Sequence, residues 1–428
     1  MQHNSPRGAD AKEAYARTFP VHVGVDAGKT FHKLVARGPG GARGKAVRVD
    51  VTRAGFEAAA AYLRESFPEV PAGRVLVGLE FAGHNGFTFA HFLAKRGYKV
   101  VSVLPFVTKR LKEVEDNSPR KDDAKDAAQV CALVGQGLFV SFPLLDDTGA
   151  ELRLLATERR RLAVEATRLK NRLHSALDLA WPEFVGQFAG LEFETPVALL
   201  ERWAVPQDLA AAAPRSVHAL VRKTSLNHIG SARVSALLDA ARSTIALQEG
   251  TEGRRAEIRR LLARWAMVRG HVADVESRLA ELVEVTPAAK ALLSVPGVSV
   301  VCAATLVAEL GDPNWYEAPR QVLKLAGMNL ARKESGTSVR GRVRQTKRGR
   351  PLLRRQLFLL AGRWCRTTGL YRPYYEALLG RGKPKTSAVC AVARKLVPML
   401  LRVMQTAEPF DLERWQSNRH SDGAPRAA

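Results

Sequence analysis

The run Val21-His22-Val23-Gly24-Val25-Asp26 decides the fold of the N-terminal part of the chain. Its valines and short length predict a buried strand that ends at an acidic residue. Gly28 follows as a turn residue, and Phe31-His32-Lys33-Leu34-Val35-Ala36 predicts a second strand. A third strand is expected over Ala46 to Val51. Three consecutive short strands therefore open the folded part of the protein.

Strands and helices alternate after these three strands. The order β-β-β-α-β-α-β predicts a mixed α/β sheet domain over residues 20–147. Its further elements are expected at Phe56 to Phe67 (helix), Val75 to Glu80 (strand), Phe87 to Arg96 (helix), Lys99 to Leu104 (strand) and Lys121 to Val134 (closing helix).

Four carboxylates occupy informative positions in this domain. Asp26 and Glu80 end two strands, while Asp123 and Asp126 lie three residues apart on one face of the closing helix. Carboxylates that converge repel each other unless cations lie between them, and Mg²⁺ prefers such oxygens. Two such ions can clamp the attacking and leaving oxygens in phosphoryl transfer. Singly, each acid could equally be a turn residue, a solvated strand end or a favourable charge at a helix N-terminus.

The stretch from Gly24 to Thr30 resembles a phosphate-binding loop only superficially. In the correct register Val23 occupies the position of the first glycine, and Asp26 inside the loop would repel phosphates. An actin-like sugar-kinase fold would need a second α/β domain with its own phosphate loop. Residues 286–408 are expected to be helical instead, which disfavours that fold.

A long helical region follows over residues 148–285. Apolar residues from Leu152 to Ala180 recur at helical spacing until Pro182 ends the helix. A second helix, from Ile258 to Leu282, shows steps of 3-4-3-4-3-4-3, a heptad pattern. These two helices could pack as an antiparallel pair or across a dimer. Between them, residues 183–250 are predicted to be a mostly helical insert.

The C-terminal region, residues 286–408, begins with a candidate helix-hairpin-helix at Leu293 to Ser299. Such a hairpin can present backbone N–H groups to phosphates. The segment from Arg332 to Arg366 carries 12 Lys and Arg against one acid, Glu334. We expect it to bind the phosphate backbone of nucleic acid. The candidate contacts are Arg332, Lys333, Arg340, Arg342, Arg344, Lys347, Arg348, Arg354 and Arg355.

Ser335 lies among these cations. A serine held by arginines can attack phosphorus, because the cations stabilise the charge that develops on the oxygens. The alternative is that Ser335 is one of several loop serines in Ser335-Gly336-Thr337-Ser338.

Composition sets the class of protein. The 428 residues include 66 Lys and Arg and 42 Asp and Glu, a formal net charge of +24, and 46% hydrophobic residues. That content excludes a disordered chain, and the charge points to a polyanion such as nucleic acid. Four dispersed cysteines argue against a disulfide scaffold or a structural zinc site. Residues 1–19 are expected to be a disordered leader without a signal peptide, and residues 409–428 a flexible tail.

Several motifs, in order, resemble one family. They are Val23-Gly24-Val25-Asp26, Gly78-Leu79-Glu80, Lys121-Asp122-Asp123-Ala124-Lys125-Asp126-Ala127, Lys170-Asn171-Arg172-Leu173, Val295-Pro296-Gly297-Val298, Leu325-Ala326-Gly327-Met328, Ser335-Gly336, Lys347-Arg348-Gly349, Leu353-Arg354-Arg355 and Ala391-Val392-Ala393-Arg394-Lys395-Leu396. The chain thereby resembles DEDD-type transposases of insertion sequences that use a bridge RNA. The likeness covers roughly residues 20–182 and 255–400. Residues 183–250 match poorly.

The resemblance implies a fold and a mechanism. The N-terminal domain is expected to be RNase H-like, similar to the junction resolvase RuvC. Asp26, Glu80, Asp123 and Asp126 would bind Mg²⁺, or Mn²⁺ in its place, and Ser335 would form a covalent phosphoserine link with DNA.

The resemblance also implies partners. A structured RNA encoded by the element would pair with donor and target DNA. A dimer or tetramer would join the metal domain of one protomer to the serine domain of another. The expected setting is the prokaryotic cytoplasm, at the nucleoid, without a membrane.

Three functions remain open from the sequence. The first is an RNA-guided DNA recombinase that uses both centres. The second is a metal-dependent junction nuclease in which Ser335 is structural. The third is a non-catalytic nucleic-acid scaffold with solvated carboxylates.

Overall fold

The computed structural model describes residues 9–39, 44–81, 84–115, 123–142, 145–331, 334–335, 339–340, 344–366, 369–413 and 415. The chain forms two compact units, Met1–Asp146 and Asp147–Ala428. Each unit is described by itself below.

The N-terminal unit is built on a six-stranded mixed sheet. Its strands are β1 (Val21–Ala27), β2 (Phe31–Arg37), β3 (Val47–Asp50), β4 (Val75–Glu80), β5 (Lys99–Val103) and β6 (Val140–Ser141). The spatial order is β3-β2-β1-β4-β5-β6, with β1, β4 and β5 parallel and the other pairs antiparallel. The mixed α/β prediction is confirmed, although the two-residue edge strand β6 was not predicted.

Helices cover both faces of this sheet. They are α1 (Ala9–Arg17), α2 (Arg53–Ser66), α3 (Phe87–Lys95), α4 (Pro105–Glu115) and α5 (Asp123–Gly135). The helices α2 and α3 bury Phe56 and Phe89 against the face that carries Val23 and Val25. On the opposite face, α5 buries Val130 and neighbouring side chains against Leu76 and Val103. Alternate residues of each strand thus feed two different cores, as the pleat requires.

The prediction of a disordered leader over residues 1–19 is wrong for its second half. Residues Ala9–Arg17 form α1, in which Ala16 is fully buried. Phe19 is buried just after the helix, and the rings of Tyr15 and Phe139 lie 6.4 Å apart. Apolar periodicity does not predict this helix because only a few of its side chains are apolar.

Two glycines allow α5 to approach the sheet closely. A Cβ atom at Gly24 on β1 would lie 2.2 Å from both Ala127 O and Cys131 N of the helix. A Cβ at Gly78 on β4 would lie 2.1 Å from a methyl carbon of Val134. Gly24 and Gly78 are register partners, so at this level neither of the two strands has a side chain on the face that packs against the helix. At these positions a larger residue would displace α5.

The C-terminal unit begins with a pair of long helices, α6 (Asp147–Ala180) and α12 (Thr251–Glu284). Each has 34 residues and is therefore about 50 Å long. They run antiparallel within one chain. Arg278 Nε donates to Glu151 Oε1 at 2.8 Å, and Arg159 Nη2 donates to Glu276 Oε1 at 2.6 Å. Of the two pairings open from the sequence, the structure contains the antiparallel pair, which we call the rod.

The rod has a separate hydrophobic core at each end. At one end Leu169, Leu173 and Leu177 pack against the insert. At the other end Leu152 of α6 and Leu279 of α12 pack against the C-terminal helices. The insert comprises α7 (Pro182–Val185), α8 (Glu194–Arg202), α9 (Pro206–Ala210), α10 (Pro214–Thr224) and α11 (Ser231–Arg242).

The C-terminal helices share their core with the rod. They are α13 (Pro287–Leu292), α14 (Val300–Leu310), α15 (Pro319–Leu325), α16 (Pro351–Trp364), α17 (Arg372–Gly380) and α18 (Lys385–Thr406). Because this core includes Leu152 and Leu279, the expected boundary at 285/286 does not separate two compact units. Within the described ranges, no helix is both long and apolar enough to cross a membrane.

The candidate hairpin at Leu293 to Ser299 is a turn between two helices. It joins α13 to α14, and Gly297 in it has a φ of 78°. Ser299 caps α14 by accepting from Cys302 N at 3.3 Å. The carbonyl of Pro296 accepts from Trp364 Nε1 at 2.6 Å, so α16 holds the turn.

The expected flexible tail begins with packed residues. Phe410 and Trp415 pack against the C-terminal core, with ring centroids 6.5 Å and 5.8 Å from Trp364. The prediction is therefore wrong for this part of residues 409–428, while 414 and 416–428 lie outside the described residues.

Substitution of Gly24 by alanine is expected to destabilise the N-terminal unit strongly. The new Cβ would meet backbone atoms of α5, which cannot rotate away, so we expect a loss of about 3 kcal/mol in the free energy of unfolding. Urea denaturation measures it. The matched control is Gly135→Ala on α5, where the nearest atom would lie 3.8 Å away. An unchanged midpoint for Gly24→Ala would contradict the close approach.

Burial of His32 predicts a pH-dependent stability. His32 is 1% exposed and packs against the rings of Phe56 and Phe89, and this burial lowers its pKa from 6.5. Below pH 6.5 the unfolded chain binds the proton more readily than the folded one, so the free energy of unfolding decreases as pH falls. Urea denaturation at a series of pH values should show a shallower decrease for His32→Leu. The exposed His84→Asn should behave as wild type.

Candidate functional site

Two of the four candidate carboxylates lie side by side on the sheet. Asp26 on β1 and Glu80 on β4 are register partners of a parallel strand pair, with their strands about 4.8 Å apart. Each lies two residues beyond the glycine under α5, so both occupy the face of the sheet that α5 covers. Both are half-buried. The sequence pattern Gly-x-acid therefore occurs twice, on adjacent strands and in register.

The direction of α5 determines where the other two acids lie. Ala127 and Cys131 are over Gly24, and Cys131 Sγ donates to His22 O at 3.3 Å. Gly135, at the end of the helix, is near the His22 ring. The helix thus runs antiparallel to β1, and its N-terminus is directed toward the strand end that carries Asp26.

Asp126 directly precedes Ala127 and is half-buried, so it lies on the Asp26 side of the helix contact. Asp123 begins α5 one turn earlier, and its side chain lies outside the described residues. The structure therefore brings Asp26 and Glu80 together and directs the start of α5 toward them. Among the side chains that it describes, no three His, Cys, Asp or Glu residues form a metal-binding group.

Lys33 is a residue of this site that was not predicted. It is the antiparallel register partner of Asp26, so the row across the sheet reads Lys33, Asp26, Glu80. Its Nζ lies 5.8 Å from the centroid of the Phe31 ring, over which the Arg48 guanidinium also lies at 4.3 Å. Cationic and aromatic side chains of β2 and β3 thus lie on one side of the acidic pair. Pairing the first two strands around Gly28 would have revealed Lys33 from the sequence.

Ser335 belongs to a β-hairpin rather than an irregular loop. Strands β7 (Leu330–Ala331) and β10 (Arg344–Gln345) pair at its base, and β8 (Glu334–Ser335) pairs with β9 (Val339–Arg340) further out. Ser335 faces Val339 in register, and Glu334 faces Arg340, so the acid next to the serine has a basic residue opposite it. The side chains of these four residues lie outside the described ones. We call the strands β7, β8, β9 and β10 together the serine hairpin.

Two turns that pack tightly against each other support the base of the serine hairpin. Gly327, with a φ of 65°, would place a Cβ 2.9 Å from the backbone of Arg348. Lys347 N donates to Gly327 O at 3.0 Å, and Arg350 N donates to Leu325 O at 2.7 Å. The motifs Leu325-Ala326-Gly327 and Lys347-Arg348-Gly349, which are far apart in sequence, therefore meet at the base of the hairpin.

Eight of the nine predicted nucleic-acid contacts fall into three groups. Arg344, Lys347 and Arg348 are exposed around the base of the serine hairpin. Arg354 Nη1 donates to Ala326 O at 2.9 Å and Lys347 O at 3.3 Å, so part of its guanidinium holds the two turns together. Arg332, Lys333 and Arg342, and the side chain of Arg340, lie outside the described residues.

Arg355 on α16 lies in a region of clustered positive charge. Partial burial, with the charges of Arg160 and Arg159 on α6, lowers the pKa of Arg355. Repulsion between neighbouring guanidinium groups does not stabilise the folded state. Arg159 is itself paired with Glu276 across the rod, so part of this positive charge is compensated within the chain.

Comparisons with known proteins give the family context. A model of DEDD transposases of IS110 elements, described as "Transposase", matches residues 23–182. A second model, described as "Transposase IS116/IS110/IS902 family", matches residues 289–376. The first match includes Asp26, Glu80, Asp123 and Asp126, and the second includes Ser335. Together the two matches cover more than half of the chain.

Similar full-length relatives come from insertion elements. The chain is 27% identical over 390 residues to the IS110 uncharacterized 43.6 kDa protein of Streptomyces coelicolor, covering 90% of this chain and 94% of the relative. It is 25% identical to the IS900 uncharacterized 42 kDa protein of Mycobacterium paratuberculosis, covering 90% and 96%. It is 24% identical to the IS116 uncharacterized 44.8 kDa protein of Streptomyces clavuligerus, covering 91% and 96%.

Proposed function

Because the chain belongs to the IS116/IS110/IS902 family of transposases, we propose that it cuts and rejoins insertion-element DNA through two chemical centres. One centre is the acidic edge of the N-terminal sheet, and the other is Ser335. The observation that carries the proposal is the register pairing of Asp26 with Glu80, with the N-terminus of α5 directed toward them.

We assign the acidic edge to a divalent cation. Asp26, Glu80, Asp123 and Asp126 would hold Mg²⁺, or Mn²⁺ in its place, because adjacent carboxylates supply the oxygen ligands that these ions prefer. When bound, the ion polarises phosphoryl oxygens and stabilises charge on the attacking and leaving oxygens. Lys33 borders the acids, Arg48 is its register partner on β3, and these cations would attract the phosphates of the DNA strand.

We assign to Ser335 the role of nucleophile. Its Oγ would form a bond to phosphorus while the bond from phosphorus to one deoxyribose oxygen breaks, and the serine proton passes to solvent or to the departing oxygen. One phosphodiester replaces another, so the exchange needs no external energy source. Attack by a different deoxyribose hydroxyl on the phosphoserine would rejoin the strands. The basic residues around the hairpin support this role because they stabilise the charge on the reacting phosphate.

Selection of the DNA sequence is proposed to come from an element-encoded RNA. Base pairing between this RNA and donor or target DNA would carry the specificity, while exposed cations such as Arg344 and Lys347 bind backbone phosphates. A homo-oligomer would allow Ser335 of one protomer to act with the acidic edge of another. The heptad surface is already used by the antiparallel pair within one chain, so assembly would use other surfaces.

The two alternative functions use fewer of these features. A metal-dependent junction nuclease would use the acidic edge alone, with Ser335 structural. A nucleic-acid scaffold would use only the basic surfaces. The presence of both residue sets within the two matched family regions favours the recombinase.

Mg²⁺ is expected to stabilise the protein through the acidic edge. An ion at about 100 times its Kd contributes about 2.7 kcal/mol to the folded state, which raises the Tm by several degrees. Differential scanning fluorimetry with increasing Mg²⁺ should show this rise for wild type and little of it for Asp26→Asn or Glu80→Gln. The control is Asp50→Asn, which removes a carboxylate that is paired with Arg48 at 2.8 Å. An equal rise in Asp26→Asn would contradict the assignment.

Strand exchange tests both centres together. The full-length protein is incubated with element ends, target DNA, Mg²⁺ and RNA transcribed from the non-coding DNA beside the gene. Ser335→Ala is expected to form no covalent protein–DNA product on denaturing gels and to lose activity on the order of 1,000-fold or more. Asp26→Asn should show a similar loss.

The controls for strand exchange are Ser338→Ala and Asp50→Asn, which should retain exchange. Full exchange by Ser335→Ala would leave only the metal-dependent nuclease, and full activity of Asp26→Asn would refute the metal centre. Exchange at the same rate without RNA would refute the guide.

A further inference from the structure

The insert at the end of the rod distributes its charges unevenly. Residues 183–250 contain six Lys and Arg against seven Asp and Glu, so the insert as a whole is nearly neutral in a chain of net charge +24. All seven acids lie in 183–208 or 239–250, whereas 209–238 contains four cations and no acid. One part of the insert, α10 and the start of α11, is therefore entirely basic.

The cations of α10 lie on one face of the helix. Val217 and Val221 are buried, while Arg215, Ala219, Arg222 and Lys223 are exposed. With 3.6 residues per turn, these four exposed positions form a single stripe. Arg215 and Arg222 are seven residues apart, or about 10 Å along the axis, which is the axial length of about three phosphates of one DNA strand.

Helix stability does not account for this arrangement. Arg222 and Lys223 in the last turn of α10 complement the helix dipole, as such residues often do. Arg215, however, lies in the first turn, where a cation is unfavourable, and that turn contains no acid. The first turn of α11 likewise contains Arg233 and no acid. The shared feature of these positions is positive charge rather than capping.

The turn after α10 adds an exposed apolar side chain. Leu226 is 76% exposed, and it and Asn227 have φ values of 48° and 65°, in the left-handed region that non-glycine residues seldom adopt. The turn is ordered by backbone bonds, including Asn227 N to Arg222 O at 3.1 Å. Leu226, Asn227, Ala219, Arg222 and Lys223 line a shallow depression of about 290 Å³. Proteins that bind the DNA minor groove frequently combine basic side chains with apolar ones that insert between base steps.

We propose that the exposed stripe of α10, Arg215, Arg222 and Lys223 with Leu226, is a second nucleic-acid-binding surface that contacts the sugar–phosphate backbone of duplex DNA. It is separated from the serine hairpin by the rod, whose two end cores are about 20 Å apart along α6, from Ala156 to Leu169. The insert would hold nucleic acid away from the reacting phosphate. The proposal concerns binding and does not depend on the chemistry assigned to Ser335.

The test compares two variants of the full-length protein that lose equal charge from the same insert. Arg222→Ala/Lys223→Ala removes two cations of the stripe. The matched control, Arg202→Ala/Arg242→Ala, removes one cation that stacks on Trp203 and one that pairs with Asp239. Fluorescence anisotropy is measured with a DNA duplex of mixed sequence, about 30 base pairs long, and separately with an RNA hairpin of similar length, between about 0.05 and 0.3 M salt. Circular dichroism verifies that each variant is folded.

The stripe variant is expected to bind the DNA duplex about 10- to 100-fold more weakly at about 0.1 M salt. Its slope of log affinity against log salt should decrease in magnitude by about 2, because two phosphate contacts are lost. The control should retain wild-type affinity. Leu226→Ala should weaken binding without changing the slope, since it removes no charge. Weaker binding of the RNA hairpin with unchanged binding of the DNA duplex would overturn the proposal.

Wild-type affinity and slope in the stripe variant would overturn the proposal. If the same variant instead changes the molecular mass in multi-angle light scattering while nucleic-acid binding is unchanged, the stripe contacts a second copy of the chain and the proposal fails. A wild-type protein that binds neither probe would contradict this inference and the proposed function together. Normal wild-type binding with an unaffected stripe variant contradicts this inference alone.

Discussion

The close approach of α5 to the sheet is the contact on which the N-terminal unit depends. Backbone atoms of the helix occupy the space that a side chain at Gly24 would need, and a side chain of the helix does so at Gly78. Because the two glycines are register partners, the residues two positions further along each strand emerge together at the edge of the helix. Those residues are Asp26 and Glu80. The same contact that packs the core therefore places the acids, and a change to either glycine affects both stability and site.

In the C-terminal unit, two long helices contribute side chains to two separate hydrophobic cores. The residues of α6 that face the insert, such as Leu173, belong to the same helix as Leu152, which faces the C-terminal helices. The ion pairs Arg159–Glu276 and Arg278–Glu151 fix the register of the two helices near one end. Exposed pairs of this kind contribute modestly, so apolar packing at both ends provides most of the stability.

The strands and the long helices could be predicted from sequence because their apolar periodicity is strong. The periodicity predicts the strands Val21–Ala27 and Val75–Glu80 nearly to the residue. Three features are not predicted by this periodicity, each for a physical reason. The serine hairpin has too few apolar residues to alternate, and Lys33 becomes a neighbour of Asp26 only through strand register. The boundary at 285/286 failed because periodicity shows that a helix is amphipathic but not which core it faces.

Main-chain hydrogen bonds between the segments before β7 and after β10 support the serine hairpin, and we call this contact the joint. The carbonyls of Leu325, Gly327 and Asn329 accept from the amides of Arg350, Lys347 and Thr346, and glycines occupy the tightest positions. Lys347 contributes its peptide group to this joint while its side chain is exposed. The φ of 53° at Lys347 lies in the left-handed region, so a glycine or an unbranched residue is compatible with these backbone contacts, whereas a β-branched residue would strain them. Under the proposed function, such a substitution would change the affinity of this surface for nucleic acid while the main-chain hydrogen bonds that support the strand of Ser335 remain.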